Sequence, residues 1–307
     1  MNISVIIPTY NASKYLTSLL DKLCSQSIYP HMEIIVVDSS STDETVSIAK
    51  KFDIKVFIIP KEEFDHGGTR SKIGKLSSGE ILVYLTQDAL PYDNFTIEKL
   101  IKPFYKNPKI GAAFGRQIPY NYATPFAKHL RLFNYPSYSY IREFKDKDIY
   151  GSRVAFCSNS FAAYRRSALE NIGWFKEKLI VSEDSYAVAK MLLNGYKVAY
   201  IAEAVVYHSH NYTLLQEFKR YFDIGVFHRN EKWIIDTFGK VTDQGKRYIL
   251  SEIKFLLKNN YYHLLPEFIT RTILKYLGYN LGYHYLLLPQ IVVKKLSLQK
   301  KWWVKNK

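Results

Sequence analysis

An α/β fold is predicted, with a mostly parallel central sheet flanked by helices over residues 1–212 and a mostly helical region over residues 213–307. Three observations predict it. Through the first 90 residues, short apolar runs alternate with stretches of helical period and short loops, the pattern of βαβ units. Polar clusters that carry acids follow those runs, at the strand ends where open α/β sheets bind ligands. From Leu214 to about residue 293 the apolar spacing is amphipathic and helical, and the alternation does not return.

Taken in order, residues 3–7 form a β-rich run that Pro8 ends. Apolar residues at Tyr15, Leu16, Leu19, Leu20 and Leu23 then mark one face of a helix from Lys14 to Gln26, with Asn11 or Ser13 as its cap. Glu33 to Val37 is a second buried strand ending at Asp38, and Thr42 or Asp43 caps a helix reaching Phe52. Val56 to Ile59 is a third strand, a glycine pair opens a helix from Gly68 to Ser77, and Ile81 to Leu85 is a fourth strand. Gly111 to Phe114, Ala155 to Tyr164, Lys197 to Ile201 and Val205 to Tyr207 read as further strands, with helices at 166–171 and 185–194. Residues 117–150 are rich in Tyr, Phe, Pro and Lys without a clean period, and an irregular stretch of that length is more often functional than idle.

With 307 residues and a hydrophobic fraction of 47%, the chain can bury a substantial core. Cys24 and Cys157 are its two cysteines, which excludes a disulfide framework and a cysteine-built metal site and fits a reducing compartment. The opening residues lack the basic region and apolar length of a signal peptide, and no run of 18 apolar residues predicts a spanning helix. The net charge of +15 asks for an anionic partner. Nucleic acid is not expected, because no RNP, zinc-finger or helix-turn-helix pattern accompanies the charge. The closing segment holds Lys294, Lys295, Lys300, Lys301, Lys305 and Lys307 around Trp302 and Trp303, a composition suited to an anionic membrane surface.

The chemistry-bearing residues cluster at strand ends. Pro8-Thr9-Tyr10-Asn11 and Asp38-Ser39-Ser40-Ser41-Thr42-Asp43 each open a helix, where backbone N–H groups favour anions. No dinucleotide or triphosphate glycine fingerprint is present. Asp88, after the run 81–85, is a helix cap or a ligand. Glu183-Asp184 is a first-turn complement to a helix dipole or an acid–base pair. For Arg70, the local alternative is a surface ion pair with Glu62 or Glu63. For Gly67-Gly68 it is a tight turn.

Ser4-Val5-Ile6-Ile7-Pro8-Thr9-Tyr10-Asn11 followed by Ile35-Val36-Val37-Asp38-Ser39-Ser40-Ser41-Thr42-Asp43 resembles the family-2 inverting glycosyltransferases of GT-A (Rossmann-like) fold. Phe64-Asp65-His66-Gly67-Gly68-Thr69-Arg70, Leu85-Thr86-Gln87-Asp88-Ala89-Leu90-Pro91, Phe222-Asp223-Ile224-Gly225-Val226-Phe227-His228 and the closing tryptophans narrow the resemblance to the bacterial rhamnosyltransferase branch. The resemblance implies transfer of a deoxyhexose, L-rhamnose from dTDP-β-L-rhamnose, to a lipid-diphosphate-linked oligosaccharide at the cytoplasmic face of the cell membrane. A UDP- or GDP-sugar transferase is the alternative, and homo-oligomerisation stays open. It implies a nucleotide-sugar site at Thr9, Tyr10, Asn11, Asp38, Ser39, Asp65, His66, Arg70, Gln87 and Asn159. It assigns the acceptor base to Asp184, with Glu183 positioning sugar or acceptor. It also implies a Mg²⁺ or Mn²⁺ held by Asp88 with His208 or His210. Two positions depart from the family pattern: Ser39 stands where a second acid is common, and Thr86 and Gln87 replace a further acid beside Asp88.

Overall fold

The computed structural model describes residues 1–240 and 244–305, the side chain of Lys305 excepted. Part of the predicted helical stretch (241–243) and Lys307 of the basic segment lie outside the described residues.

In chain order the first half runs β1 (Ile3–Thr9), α1 (Ser13–Cys24), β2 (Met32–Asp38), α2 (Thr45–Ala49), β3 (Lys55–Ile58), α3 (His66–Leu76), β4 (Ile81–Leu85), β5 (Leu90–Pro91), α4 (Thr96–Lys106) and β6 (Ile110–Ile118). The second half continues with α5 (Pro125–Asn134), β7 (Tyr140–Arg142), α6 (Lys147–Tyr150), β8 (Phe161–Arg165), α7 (Arg166–Asn171), α8 (Glu183–Leu193) and β9 (Lys197–Tyr207). Helices α9 (Leu214–Asn230), α10 (Lys232–Phe238), α11 (Gln244–Lys258), α12 (Leu265–Tyr283), α13 (Gln290–Leu296) and α14 (Trp302–Lys305) follow.

One sheet has the order β3-β2-β1-β4-β8-β6-β9-β5, with β7 also on β9. The first four strands are parallel, as their spacing predicts. The second half is mixed, because β8 enters antiparallel between β4 and β6. Consequently β6, and β9 parallel to it, run in the direction of β4. The carboxyl ends of β1, β2, β4, β6 and β9 and the start of β8 therefore meet along one edge.

Alternate residues divide the sheet's two faces, as strand geometry requires. Val5, Ile7, Val83 and Ala113 pack with Leu16, Leu20, Leu100 and Phe104 of α1 and α4. Ile6, Tyr84, Phe114 and Tyr164 pack with α7 and α8 and also with Phe222, Phe227, Phe238, Val293 and Trp303 of the C-terminal helices. The residues on either side of position 212 thus share one core.

Several element ends differ from expectation. Neither Asn11 nor Ser13 caps α1. Its first N–H groups are taken by the neighbouring loop: Asn11 donates to Ser41 Oγ, Ala12 to Thr45 Oγ1 at 2.7 Å and Ser13 to Asp43 Oδ2 at 3.1 Å. The predicted strand 155–164 is a 3₁₀ turn and a loop before Phe161. The two strands predicted at 197–201 and 205–207 are one strand, with a register shift where Arg116 pairs Val205 after Gly115 pairs Ile201. Gly67 and Gly68 form no turn. They lie inside α3, where a Cβ on Gly67 would stand 2.1 Å from the Lys176 carbonyl oxygen, so the 174–180 loop can cross the helix start. Among the described residues, no helix is long and apolar enough to cross a membrane.

Candidate active site

A cavity of about 630 Å³ opens at the shared strand edge. The sequence-predicted residues Thr9, Tyr10, Ser39, Asp65, His66, Arg70, Gln87, Asp88, His208 and His210 all line it.

On the β1–β2 side, Thr9 donates to Asp38 Oδ2 at 2.8 Å. The Asp38 carboxylate also accepts from Ser41 N and Ser41 Oγ, at 2.7 and 2.6 Å. Asp38 is fully buried and does not line the cavity, so it stiffens the loop that presents Thr9 and Ser39. Asn11 likewise stays outside, because its Oδ1 accepts from Thr42 N at 3.0 Å. Gln87 ties β4 to β1: its Oε1 accepts from Tyr10 N and its Nε2 donates to Tyr10 O, at 2.9 and 3.2 Å. With its amide committed, Gln87 is a wall and no substitute acid. Asp65 caps α3 by accepting from Gly68 N at 2.7 Å, and its other oxygen accepts from Lys178 N at 3.1 Å.

Arg70, 4% exposed, pairs with Glu183 at 3.1 Å, and neither Glu62 nor Glu63 is its partner. Its Nη1 donates to the His66 carbonyl at 2.9 Å, while its buried Nε finds no partner. A long-range pairing of this kind invisible at the sequence level arises because β4 and β8 are neighbours, which brings α3 beside the start of α8.

The two acids occupy the first turn of α8, after Ser182, whose φ of 65° is a strained conformation for a residue with a Cβ. Asn159 organises both. Its backbone N–H donates to Asp184 Oδ2 at 3.0 Å, its Nδ2 donates to Glu183 Oε1 at 3.0 Å, and its Oδ1 accepts from Tyr164 at 2.8 Å. Asn159 therefore does not reach the cavity as a donor contact; its side chain is committed to Glu183 and Tyr164. Neither acid is among the residues that line the cavity: Glu183 pairs with Arg70, which does line it, and Asp184, partly exposed, sits against the N–H of Asn159 next to the lining residue Ser160. Burial works against the charge of Glu183, but the Arg70 guanidinium overrides it and holds the carboxyl below its usual range. Burial and then ionised Glu183 push Asp184 up, to about 7. Two neighbouring carboxyls are thereby separated into a permanent anion and a group that exchanges protons near neutrality.

Asp88 faces two histidines across the β4–β9 gap. Its carboxylate oxygens lie 3.5 Å from His208 Nε2 and 3.7 Å from His210 Nδ1. All three ligand atoms fall within 4.8 Å of one another. His208 Nδ1 is 2.8 Å from Gln117 Oε1, an oxygen that also accepts from Arg131 at 2.7 Å. Nδ1 must then carry the proton, which leaves the Nε2 lone pair directed toward Asp88. That buried Nε2 has no hydrogen-bond partner. Burial lowers the pKa of both rings, that of His210 to about 4, so both are neutral at physiological pH, the form that ligates metal. An orphaned, correctly tautomerised imidazole beside a carboxylate fits a divalent cation. Gln117 and Arg131 had no sequence signal, since their part depends on the pairing of β6 with β9.

The tail departs most from expectation. Trp303 is buried against Phe222 and Tyr285, and Trp302 Nε1 donates to the Lys178 carbonyl at 2.7 Å. These tryptophans are packed into the protein, and Trp302 lines the cavity with Lys301 and Gln299.

The sequence model of "Glycosyl transferase family 2" matches residues 4–173. The O-antigen chain rhamnosyltransferase RfbN of Salmonella typhimurium is 45% identical over 305 residues, 99% of this chain and 96% of that protein. WbaN of Salmonella anatum, with the same description, is 41% identical over 98% of this chain and 95% of its own length. Among solved structures, the mannosyltransferase PcManGT of Pyrobaculum calidifontis, in complex with GDP-Man and Mn²⁺, matches with a TM-score of 0.58 at 21% identity, covering 99% of this chain and 86% of that one. Residues 1–349 of S. aureus TarS with UDP-GlcNAc match with a TM-score of 0.57 at 17% identity, covering 93% and 91%. These two likenesses bear on the fold.

Proposed function

This chain belongs to glycosyltransferase family 2, and on that premise we propose that it is an O-antigen chain rhamnosyltransferase that works with inversion. The near-full-length identity to two such proteins supports the sugar and the acceptor class. The observation that carries the chemistry is the Glu183–Asp184 pair, one carboxyl fixed as an anion and the other placed to exchange a proton.

The donor in this reading is dTDP-β-L-rhamnose. Thr9 and Ser39 meet the nucleoside at the β1–β2 edge, Arg70 and His66 face the diphosphate, and Glu183 holds Arg70 in place. Asp184 accepts the proton of the acceptor hydroxyl. The freed oxygen bonds to the anomeric carbon as the bond to the diphosphate breaks, its electron pair leaving on the phosphate oxygen, and the β-donor yields an α-linkage. A divalent cation held by Asp88 and His208, with His210 beside them, would supply neutralising charge to the departing diphosphate. The test is incubation of the full chain with dTDP-β-L-rhamnose, UDP-sugars or GDP-sugars and a lipid-diphosphate-linked O-antigen acceptor. Rhamnose incorporation with dTDP release is expected; equal or better turnover of a UDP- or GDP-sugar would overturn the donor assignment.

The acceptor's lipid asks for contact with the inner membrane face. We assign that contact to the outer faces of α12 and α13, in place of the tail tryptophans. Ile269, Ile273 and Tyr276 of α12, Leu287 in the 3₁₀ turn between the helices and Ile291 of α13 are each more than half exposed. Residues 213–307 hold seventeen Lys and Arg against seven Asp and Glu. Four of those acids, Glu217, Asp223, Glu231 and Glu252, are buried, so the exterior complements an anionic leaflet. The chain is expected to co-sediment with phosphatidylglycerol vesicles and to release in high salt. The double variant Ile273→Asp, Tyr276→Asp should bind them about tenfold more weakly. A stable dimer in solution that covers this face, with no vesicle binding, would overturn the assignment.

A further inference from the structure

We propose that residues 297–303 form a strap that completes the donor cavity, with Lys301 offering a cation to the donor's diphosphate and Asp223 latching the strap in place. This rests on the nucleotide-sugar reading above. It gives a role to the segment Phe222–His228, which the chemistry so far does not use.

Asp223 is 1% exposed and commits both carboxylate oxygens to the strap: Oδ1 accepts from Ser297 Oγ at 2.6 Å and Oδ2 from Leu298 N at 3.0 Å. Ser297 Oγ in turn accepts from Gln299 N at 2.9 Å, which turns the chain toward the cavity. Asp223 itself is held rigidly. On the same helix Gly225 lies so near α12 that a Cβ would stand 2.2 Å from the Tyr279 carbonyl oxygen. The far end of the strap is fixed twice, by Trp303 on Phe222 and Tyr285 and by Trp302 on the Lys178 carbonyl. Between these anchors, Gln299, Lys301 and Trp302 form one wall of the cavity.

Among the described residues the Lys301 side chain makes no ion pair or hydrogen bond, its carbonyl alone accepting from Val304 N at 3.1 Å. A lysine facing a cavity without an acid partner, on a segment fixed at both ends, is a preorganised site for an anion. Arg70, by contrast, already answers to Glu183. The polyphosphate of a nucleotide sugar supplies the missing negative charge, and Lys301 would meet it from the side opposite the sheet edge. Lys301 is thus a binding group on a wall of the cavity outside the family-matched residues 4–173.

Calorimetry with dTDP and dTMP on the full chain tests it. Lys301→Ala should weaken dTDP about tenfold and dTMP much less, and Lys301→Arg should restore most of the loss. Ser297→Ala, which removes one latch bond, should raise the donor KM with little change in kcat. Asp223→Asn should do the same more strongly, with melting curves confirming that both variants fold. Lys301→Ala binding dTDP as the wild type does would overturn the proposal. If the wild type takes UDP in place of dTDP, the donor assigned above is corrected, and the same variants with UDP and UMP judge the strap.

Discussion

Replacing Asp184 with asparagine will slow transfer about 10³-fold or more while the donor still binds with near wild-type affinity. The asparagine keeps the size of the side chain and can still accept one of the two backbone hydrogen bonds, from Asn159 or Ser185. It cannot take a proton from an acceptor hydroxyl. Because Asp184 is not among the residues lining the donor cavity, the nucleotide contacts stay in place. The pH dependence offers an independent check. A base must be ionised to work, so the wild-type kcat/KM should fall as pH drops through about 7, the value to which burial and Glu183 raise Asp184. Glu183→Gln removes the neighbouring anion, so Asp184 ionises more readily and the limb should move to lower pH. In Asp184→Asn the limb should vanish. Donor turnover at the wild-type rate in that variant, or an unchanged limb in Glu183→Gln, would remove Asp184 as the base.

The parallel half of the sheet was legible because each strand is short, apolar and bounded by polar strand ends, a signal carried within ten residues. The antiparallel entry of β8 was not, since strand direction is set by its pairing with β4 and β6, and the turn-forming Ser158-Asn159-Ser160 within 155–164 lies hidden between apolar flanks. What delays the start of β8 to Phe161 is also tertiary: the backbone and side chain of Asn159 are committed to Asp184 and Glu183. The same distinction runs through the site. Asp88, His208 and Asp184 could be named from motifs. The partner of Arg70 could not, because the nearby acids Glu62 and Glu63 compete on paper with an acid 113 positions away. The tail is the sharpest case. Lysines around paired tryptophans suit two environments, a lipid headgroup layer and a polar-rimmed groove in protein, since each residue joins an apolar body to a polar tip. Composition cannot choose between them. The choice is made by Asp223, 74 residues from its partner Ser297.

Asp88→Ala should lose both transfer activity and its response to divalent metal, by about 10³-fold at saturating donor. Asp88 is the one carboxylate in the cluster, and Gln87 beside it is committed to Tyr10, so no neighbouring acid can take over. His208→Ala should cost less, because phosphate oxygens and water can occupy a vacated position. It should also raise the metal concentration needed for half-maximal activity. Gln117→Leu tests the tautomer argument from behind the site. Without the Gln117 oxygen nothing holds the proton on Nδ1, and Nε2 can carry it toward Asp88, so metal affinity should fall about 10-fold or more although no ligand is changed. The donor set also predicts a metal preference. Mg²⁺ favours oxygen ligands in near-ideal octahedra, whereas a site of one carboxylate and one or two imidazoles suits Mn²⁺ better. Turnover at low metal concentration should therefore be higher with Mn²⁺ than with Mg²⁺, and the advantage should shrink in His208→Ala. Full activity of the wild type in excess chelator would sink the metal assignment. It would leave His208 Nε2, buried and without a hydrogen-bond partner, as a cost to folding with no ligand to offset it.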